Sequence, residues 1–367
     1  MKLVLFSDLH LDAPFAWLGA DPAAARARRQ ALRDTLGNVV RLAADSRADA
    51  LLCGGDLYEQ ARFGRDTRAF LERTFAELDP LPVYLAPGNH DWYGPESLYR
   101  RARWSPNVHV FAEDRLAPVT LTDGLTLWGL AHRAPAFTSG PLDGFRVDRG
   151  GVHLALFHGS LRGPVTSQDG GPEPHAPFDA EGIEQAGLHH AFLGHYHRPR
   201  DADRFTYPGN PDFLAFGDHP KRGAIVATVG PDGTVRRERY RVGVTEVHDL
   251  ALDVTDCASG QDVRDRLAAL LADRVGVARV TIGGEPGDDV ELRLDDLRSV
   301  PHRLAGLAIR LGDVRPALDV ERITAEPTVR GQFVRDVLAA ELPEDERRRV
   351  LATGLRALGG RDDLDPP

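Results

Sequence analysis

The chain has 367 residues, 42% hydrophobic and 27% charged, enough for two ordinary globular domains and unlike a low-complexity or fibrous chain. Its formal net charge is −10, and residues 246–367, with 17 Arg against 25 Asp and Glu, carry most of it; that argues against a broad nucleic-acid surface there and leaves room for a local basic stripe in the near-neutral residues 1–245. The two cysteines, Cys53 and Cys257, make no disulfide framework, no apolar run approaches the roughly 18 residues of a membrane span, and the first strand is too short for a signal-peptide core, so a reducing cytoplasm is the expected compartment.

Residues 2–7 read as a buried strand ending at Ser7-Asp8-Leu9-His10. Asp21-Pro22 supplies an N-cap and a first-turn proline for a helix running to about Asp45. A second strand, 50–53, closes on Gly54-Gly55-Asp56. A helix over about 66–79 leads to a third strand, 82–86, which Pro87-Gly88 breaks before Asn89-His90-Asp91. This alternation is the α/β pattern, in which functional groups gather beyond the carboxyl ends of strands.

From 107 the pattern changes to strands at 107–111, 116–121 and 125–130, with a turn at Asp123-Gly124. A strand at 152–157 ends at His158-Gly159, and the Gly- and Pro-rich segment 163–177 reads as a loop beside the site. The strand at 190–193 ends at Gly194-His195-Tyr196-His197, and strands at 222–229 and 234–241 flank a Pro231-Asp232-Gly233 turn. Beyond about Glu246 the order strand (247–254), helix (261–273), strand (277–282), helix (295–304), strand (306–311) describes a small α+β unit. Amphipathic helices at 328–340 and 344–358 and a frayed tail, 361–367, complete the chain. The expected domains are 1–245, 246–325 and 326–367.

Polar residues lie just past five of the predicted strands: Asp8 and His10; Asp56; Asn89, His90 and Asp91; His158; His195 and His197. Carboxylates, imidazoles and an amide oxygen without thiolates suit Mn²⁺, Fe²⁺ or Zn²⁺ rather than a structural zinc site. Each fragment alone is common by chance. Together they are too many for one tetrahedral ion and about right for two ions sharing a carboxylate.

Asp8-X-His10, Gly55-Asp56, Gly88-Asn89-His90-Asp91, His158-Gly159 and Gly194-His195-X-His197 resemble the five motifs of the calcineurin-like metallophosphoesterases. With Gly54-Gly55-Asp56-Leu57-Tyr58, Tyr207-Pro208-Gly209-Asn210-Pro211 and a smaller domain after about residue 245, the chain most resembles the SbcD-type DNA-repair exonucleases. The resemblance implies a four-layer α/β/β/α sandwich with a smaller C-terminal α+β domain. It implies one metal on Asp8, His10, Asp56 and His197 and another on Asp56, Asn89, His158 and His195. His90 is then off the metals facing the phosphate, with Asp91 hydrogen-bonded behind it. The ions expected are two Mn²⁺, with Fe²⁺, Zn²⁺ or Mg²⁺ as alternatives. The chemistry implied is in-line attack on phosphorus by a metal-bridging hydroxide, with His90 assisting the leaving alkoxide.

The implied partners are DNA as substrate, an SbcC-type ABC ATPase reached through the C-terminal helices, and a second copy of the chain. One departure stands out: where the nuclease branch carries His or Asp three residues after the bridging aspartate, this chain has Glu59, read as a solvated loop residue. That departure and the overall acidity favour the alternative of a small-molecule phosphoesterase acting on cyclic nucleotides or phosphomonoesters. A non-catalytic binding module is the third reading. His132 and His175 lie in loops that border the expected site, and Arg62, Arg65, Arg133, Arg162, Arg198 and Arg200 are candidate phosphate contacts.

Overall fold

Strands buried on both faces must be covered on both faces, and the sequence alternates accordingly. In Lys2–Phe6 (β1), Leu3 and Leu5 face one way and Val4 and Phe6 the other, and all four are fully buried. Ala50–Cys53 (β2), Val83–Leu85 (β3) and Val108–Val110 (β4) continue from β1 as parallel neighbours. The helices Pro22–Asp45 (α1) and Arg65–Ala76 (α2) cover the Val4/Phe6 face with Leu32, Leu36, Val39, Leu71 and Phe75. The short helix Leu98–Arg101 (α3) follows β3.

The Leu3/Leu5 face meets a second sheet. It is built from Ala117–Thr122 (β5), Leu125–Gly129 (β6), Val152–His158 (β7), His190–Gly194 (β8), Arg200–Asp201 (β9) and Phe205–Tyr207 (β10), in the order β5-β6-β7-β8-β10-β9. Leu125, Leu127, Leu154, Leu156 and Phe192 close against Leu3, Leu5 and Leu52 between the sheets. On the outer face, Phe157, Ala191 and Leu193 pack under Ile183 of Ala180–Gln185 (α4). The hairpin Ala224–Val229 (β11) and Val235–Tyr240 (β12) adds antiparallel to β1, giving a first sheet ordered β12-β11-β1-β2-β3-β4. The fold is therefore mixed α/β, with layers α/β/β/α.

The computed structural model describes residues 1–18, 22–137, 139–163, 174–287, 290–315 and 320–358. Most of the expected loop 163–177 and the expected tail 361–367 lie outside the described residues. The chain divides into two units, Met1–Thr245 and Glu246–Pro367. In the second unit Val247–Asp253 (β13), Val277–Gly284 (β14) and Gly306–Val314 (β15) form a parallel sheet. Gly260–Leu271 (α5), capped by the Ser259 side chain, packs Val263, Leu267 and Leu271 against Val280 and Ile282. The expected helix 295–304 ends after Leu294–Arg298 (α6), since Pro301 disfavours helical backbone at the residue before it. In Val320–Thr324 (α7), Val329–Ala339 (α8) and Glu344–Leu358 (α9), the apolar positions Ile323, Val334, Val337, Leu351 and Leu355 form a core of their own. Helix α4 escaped the sequence reading because six residues with one buried side chain give no helical period.

His190 opens β8 fully within the second sheet, donating from Nδ1 to Asp203 O (3.2 Å) and accepting at Nε2 from Thr206 Oγ1 (2.9 Å). Burial pushes its pKa down to about 3. The unfolded chain takes up a proton near pH 6.5 that the folded chain refuses, so stability is full above that value and falls as the pH drops toward 3. Between pH 7 and 5, wild type is expected to lose about 2 kcal/mol more than His190→Gln in urea unfolding; equal losses contradict a neutral buried imidazole.

Candidate metal centre

Five strand ends, those of β1, β2, β3, β7 and β8, bring the predicted residues to one edge of the paired sheets. The loops after β1 and β2 run side by side: Asp8 N–H donates to Gly55 O (3.0 Å), His10 N–H to Asp56 O (2.9 Å) and Leu11 N–H to Leu57 O (3.0 Å). Asp8, His10 and Asp56 hold this ladder with left-handed φ angles of 54°, 50° and 52°. Such non-glycine conformations cost about 1–3 kcal/mol each and concentrate at functional sites. Gly88 is required at the β3 end, since a Cβ there collides with Asp56 Oδ1.

Asp56 lies at the centre, 1% exposed. Its Oδ1 accepts from His90 N–H (2.9 Å). Its Oδ2 has no hydrogen bond and lies 3.2 Å from His158 Nε2 and 3.7 Å from His10 Nε2. In its neutral form each imidazole presents an acceptor nitrogen on that side, because His158 Nδ1–H donates to Gly54 O (2.9 Å) and His10 Nδ1–H to Glu59 Oε1 (2.8 Å). His10 Nε2 also stands 3.2 Å from His197 Nε2. Asn89 Oδ1 and His158 Nε2 are buried without hydrogen-bond partners.

Buried acceptors that face one another without donors are costly unless positive charge lies between them. Three clusters of carboxylate and imidazole side chains bring ligand atoms within 4.8 Å of one another: Asp8, His10 and His197; His10, Asp56 and His90; and Asp8, Asp56 and His158. These donor types fit divalent first-row ions. Titration carries the same sign. Burial opposes a charge on His158, yet Asp56 beside it raises its pKa to about 9. Burial would raise the Asp56 carboxyl, yet His158, His90 and His10 hold it well below the carboxylate range. His195 goes the other way, pushed down to about 2 by burial and by His158. Its backbone N–H donates to Asp8 Oδ1 (3.0 Å), and its ring meets that of His158 edge-on at 5.1 Å.

The arrangement behind His90 differs from the expectation. Asp91, expected to hold His90, accepts instead from Gly88 N–H (2.6 Å), Leu57 N–H (2.7 Å), Asp56 N–H (3.1 Å) and Tyr99 O–H (2.6 Å). Four donors in the buried turn draw the carboxylate inward, so Asp91 clamps the β2 and β3 loops together. The carboxylate behind His90 is Glu59, whose Oε2 pairs with His90 Nδ1 at 3.1 Å while Oε1 holds His10. Glu59 is 16% exposed, so it is not the solvated loop residue expected. Burial would raise its carboxyl, but the two imidazole hydrogen bonds hold it at about 2. The His90 ring is 38% exposed, and it also falls in the cluster with His10 and Asp56.

Two further histidines border the centre. His132 is fully buried and donates from Nε2 to His158 O (2.7 Å). His175 pairs its backbone with Ser160, and its ring lies 5.6 Å from that of His195. His132 sits just past the end of β6, so the strand-end pattern that selected the others also contains it. Of the arginines expected at phosphates, Arg162 pairs with Asp179 (2.9 Å) and Asp143 (3.6 Å).

The family model for calcineurin-like phosphoesterases matches residues 1–221. The chain belongs to that family. Calcineurin-like phosphoesterases are phosphoester hydrolases that normally bind two divalent metals, and the clusters around Asp56 are this member's candidates for them. This phosphoesterase is similar to the uncharacterized metallophosphoesterase YhaO of Bacillus subtilis (strain 168), 25% identical over 262 residues, 68% of this chain and 62% of that protein. It is also similar to the DNA double-strand break repair protein Mre11 of Methanopyrus kandleri, 23% identical over 279 residues, 66% of this chain and 57% of that protein. It thus spans less than two thirds of either relative's length. Among solved structures, TT1561 of Thermus thermophilus aligns with a TM-score of 0.37 and 13% identity over 65% of this chain and 98% of that one. No helix among the described residues is long and apolar enough to cross a membrane.

Partners behind metal-ligating histidines are typically worth about 10–100-fold in metal affinity or activity. Glu59→Gln is therefore expected to weaken Mn²⁺ binding in calorimetry by about that factor with an unchanged circular dichroism spectrum; wild-type affinity contradicts the Glu59–His10 link.

Proposed function

We propose that this chain is a two-cation phosphodiesterase that cleaves DNA, with manganese as its working ion. The observation that carries the two-cation reading is the buried Asp56 Oδ2, without a hydrogen bond, facing imidazole nitrogens of both His10 and His158. In this reading Asp8, His10, Asp56 and His197 hold one ion, and Asp56, Asn89, His158 and His195 hold the other. Such ions supply charge neutralisation at the phosphoryl oxygens and a lowered pKa for water. The chain's residues do the rest. Asp56 fixes the spacing of the two halves. Glu59 orients His90, so that its half-exposed ring holds a proton for the leaving alkoxide. A phosphodiester alkoxide is a poor leaving group and benefits from such an acid.

The choice of DNA rests on the nuclease-like motif context, on the Tyr207-Pro208-Gly209-Asn210 element and on the similarity to a protein named for double-strand break repair. Residues 1–245 then form the catalytic domain and 246–325 an accessory domain, with residues 326–358 meeting an SbcC-type ATPase. Leu338 and Leu358, 41% and 44% exposed on those helices, support that last assignment. A second reading, a small-molecule phosphoesterase, is favoured by Glu59, a carboxylate at the cleft that repels the flanking phosphates of a polymer.

The test is cleavage of labelled single- and double-stranded DNA beside bis-p-nitrophenyl phosphate and cyclic nucleotides. Mn²⁺-dependent DNA cleavage is expected, lost with EDTA and restored by Mn²⁺, and His90→Gln is expected to lower it by about 10²–10⁴-fold. Hydrolysis of small esters with DNA untouched selects the second reading.

A further inference from the structure

We infer that His132 is a positioning residue that ties together the two loops carrying Asn89 and His158. This rests on the two-cation reading above, in which Asn89 and His158 hold the same ion. Asn89 follows β3 in the first sheet and His158 ends β7 in the second, and no strand pairing connects β3 to β7. Something other than a β ladder must set their spacing, because ligand atoms have to be held to about 0.5 Å for tight binding.

His132 supplies three bonds that do so. Its backbone N–H donates to Pro87 O (2.9 Å) and its carbonyl accepts from Tyr93 N–H (2.7 Å), so it grips both ends of the loop that carries Asn89 and His90. Its Nε2–H donates to the carbonyl of His158 itself (2.7 Å). A carbonyl only accepts, so this bond fixes the Nε2–H tautomer. The ring is fully buried, edge-on to the His158 ring at 5.5 Å and against Phe137 at 5.1 Å, which leaves it little rotamer freedom. His132 thus spans from the first sheet's ligand loop to the second sheet's ligand residue and contributes no atom to the three candidate cation clusters.

The backbone bonds do not involve the side chain, so Gln and Asn variants isolate the side-chain bond. In His132→Gln the amide nitrogen reaches the place of Nε2 and can still donate to His158 O. In His132→Asn the amide reaches only the place of Nδ1 and cannot. Manganese content after gel filtration, Mn²⁺ calorimetry and thermal unfolding are measured on the full chain. Wild type and His132→Gln are expected to bind two ions. His132→Asn is expected to keep one tight ion and bind the second about 10–100-fold more weakly, with a matching loss of phosphodiester hydrolysis in kcat at subsaturating Mn²⁺ that excess Mn²⁺ restores. Two tight ions in His132→Asn overturn the assignment, whatever its melting temperature, and so does equal loss of the second ion in both variants. A wild type that binds fewer than two ions overturns the two-cation reading, and the assignment with it.

Discussion

A carboxylate oxygen buried without a hydrogen bond is an expensive thing for a protein to keep, and Asp56 Oδ2 is one. Its neighbours make the cost larger in the absence of positive charge. His158 and His10 are each pinned at Nδ1, by Gly54 O and by Glu59, so each turns an acceptor nitrogen toward it. The local chemistry has two ways out: a proton taken up by an imidazole, which the raised His158 pKa of about 9 reflects, or a cation among the acceptors. The remaining features of the site follow from holding these atoms in place. The left-handed backbone at Asp8, His10 and Asp56, the Asp91 clamp on four donors and the glycine at 88 all serve to bring charged strand ends within reach of one another.

The fold supplies the rigidity this needs. Two sheets close face to face through Leu3, Leu5, Leu52, Leu127, Leu154 and Phe192, so the carboxyl ends of strands from both sheets meet at one edge. Interiors packed this way deform little, which allows strained residues to persist at their rim. The candidate ligand residues come from strand ends far apart in sequence: Asp8 and His195, joined by a hydrogen bond, lie 187 positions apart. No local segment could hold such a constellation alone.

Much of this was legible in the sequence, and the reasons are physical. Runs such as Leu3-Val4-Leu5-Phe6 can be buried on both faces only in a covered sheet, and polar residues at successive strand ends have one edge to converge on. The directions of side chains within a turn were not legible. Asp91 adjoins His90 in sequence, yet its partners are backbone amides of two loops and Tyr99, while Glu59 reaches His90 across 31 positions. Neither spacing nor residue type distinguishes those outcomes, because both depend on where orphan donors lie once the loops are folded. Short elements suffered too: α4, which buries a single side chain, was missed, and α6 stops ahead of Pro301, short of its expected end.

The central claim is that Asp56 is shared by two cations. Diffraction from crystals grown with Mn²⁺, collected at the manganese edge, tests it directly. The account predicts two anomalous peaks about 3.5–4 Å apart with the Asp56 carboxylate between them, one near His10 and His197 and the other near Asn89 and His158. A single peak, or a pair that leaves Asp56 Oδ2 out of contact, contradicts it.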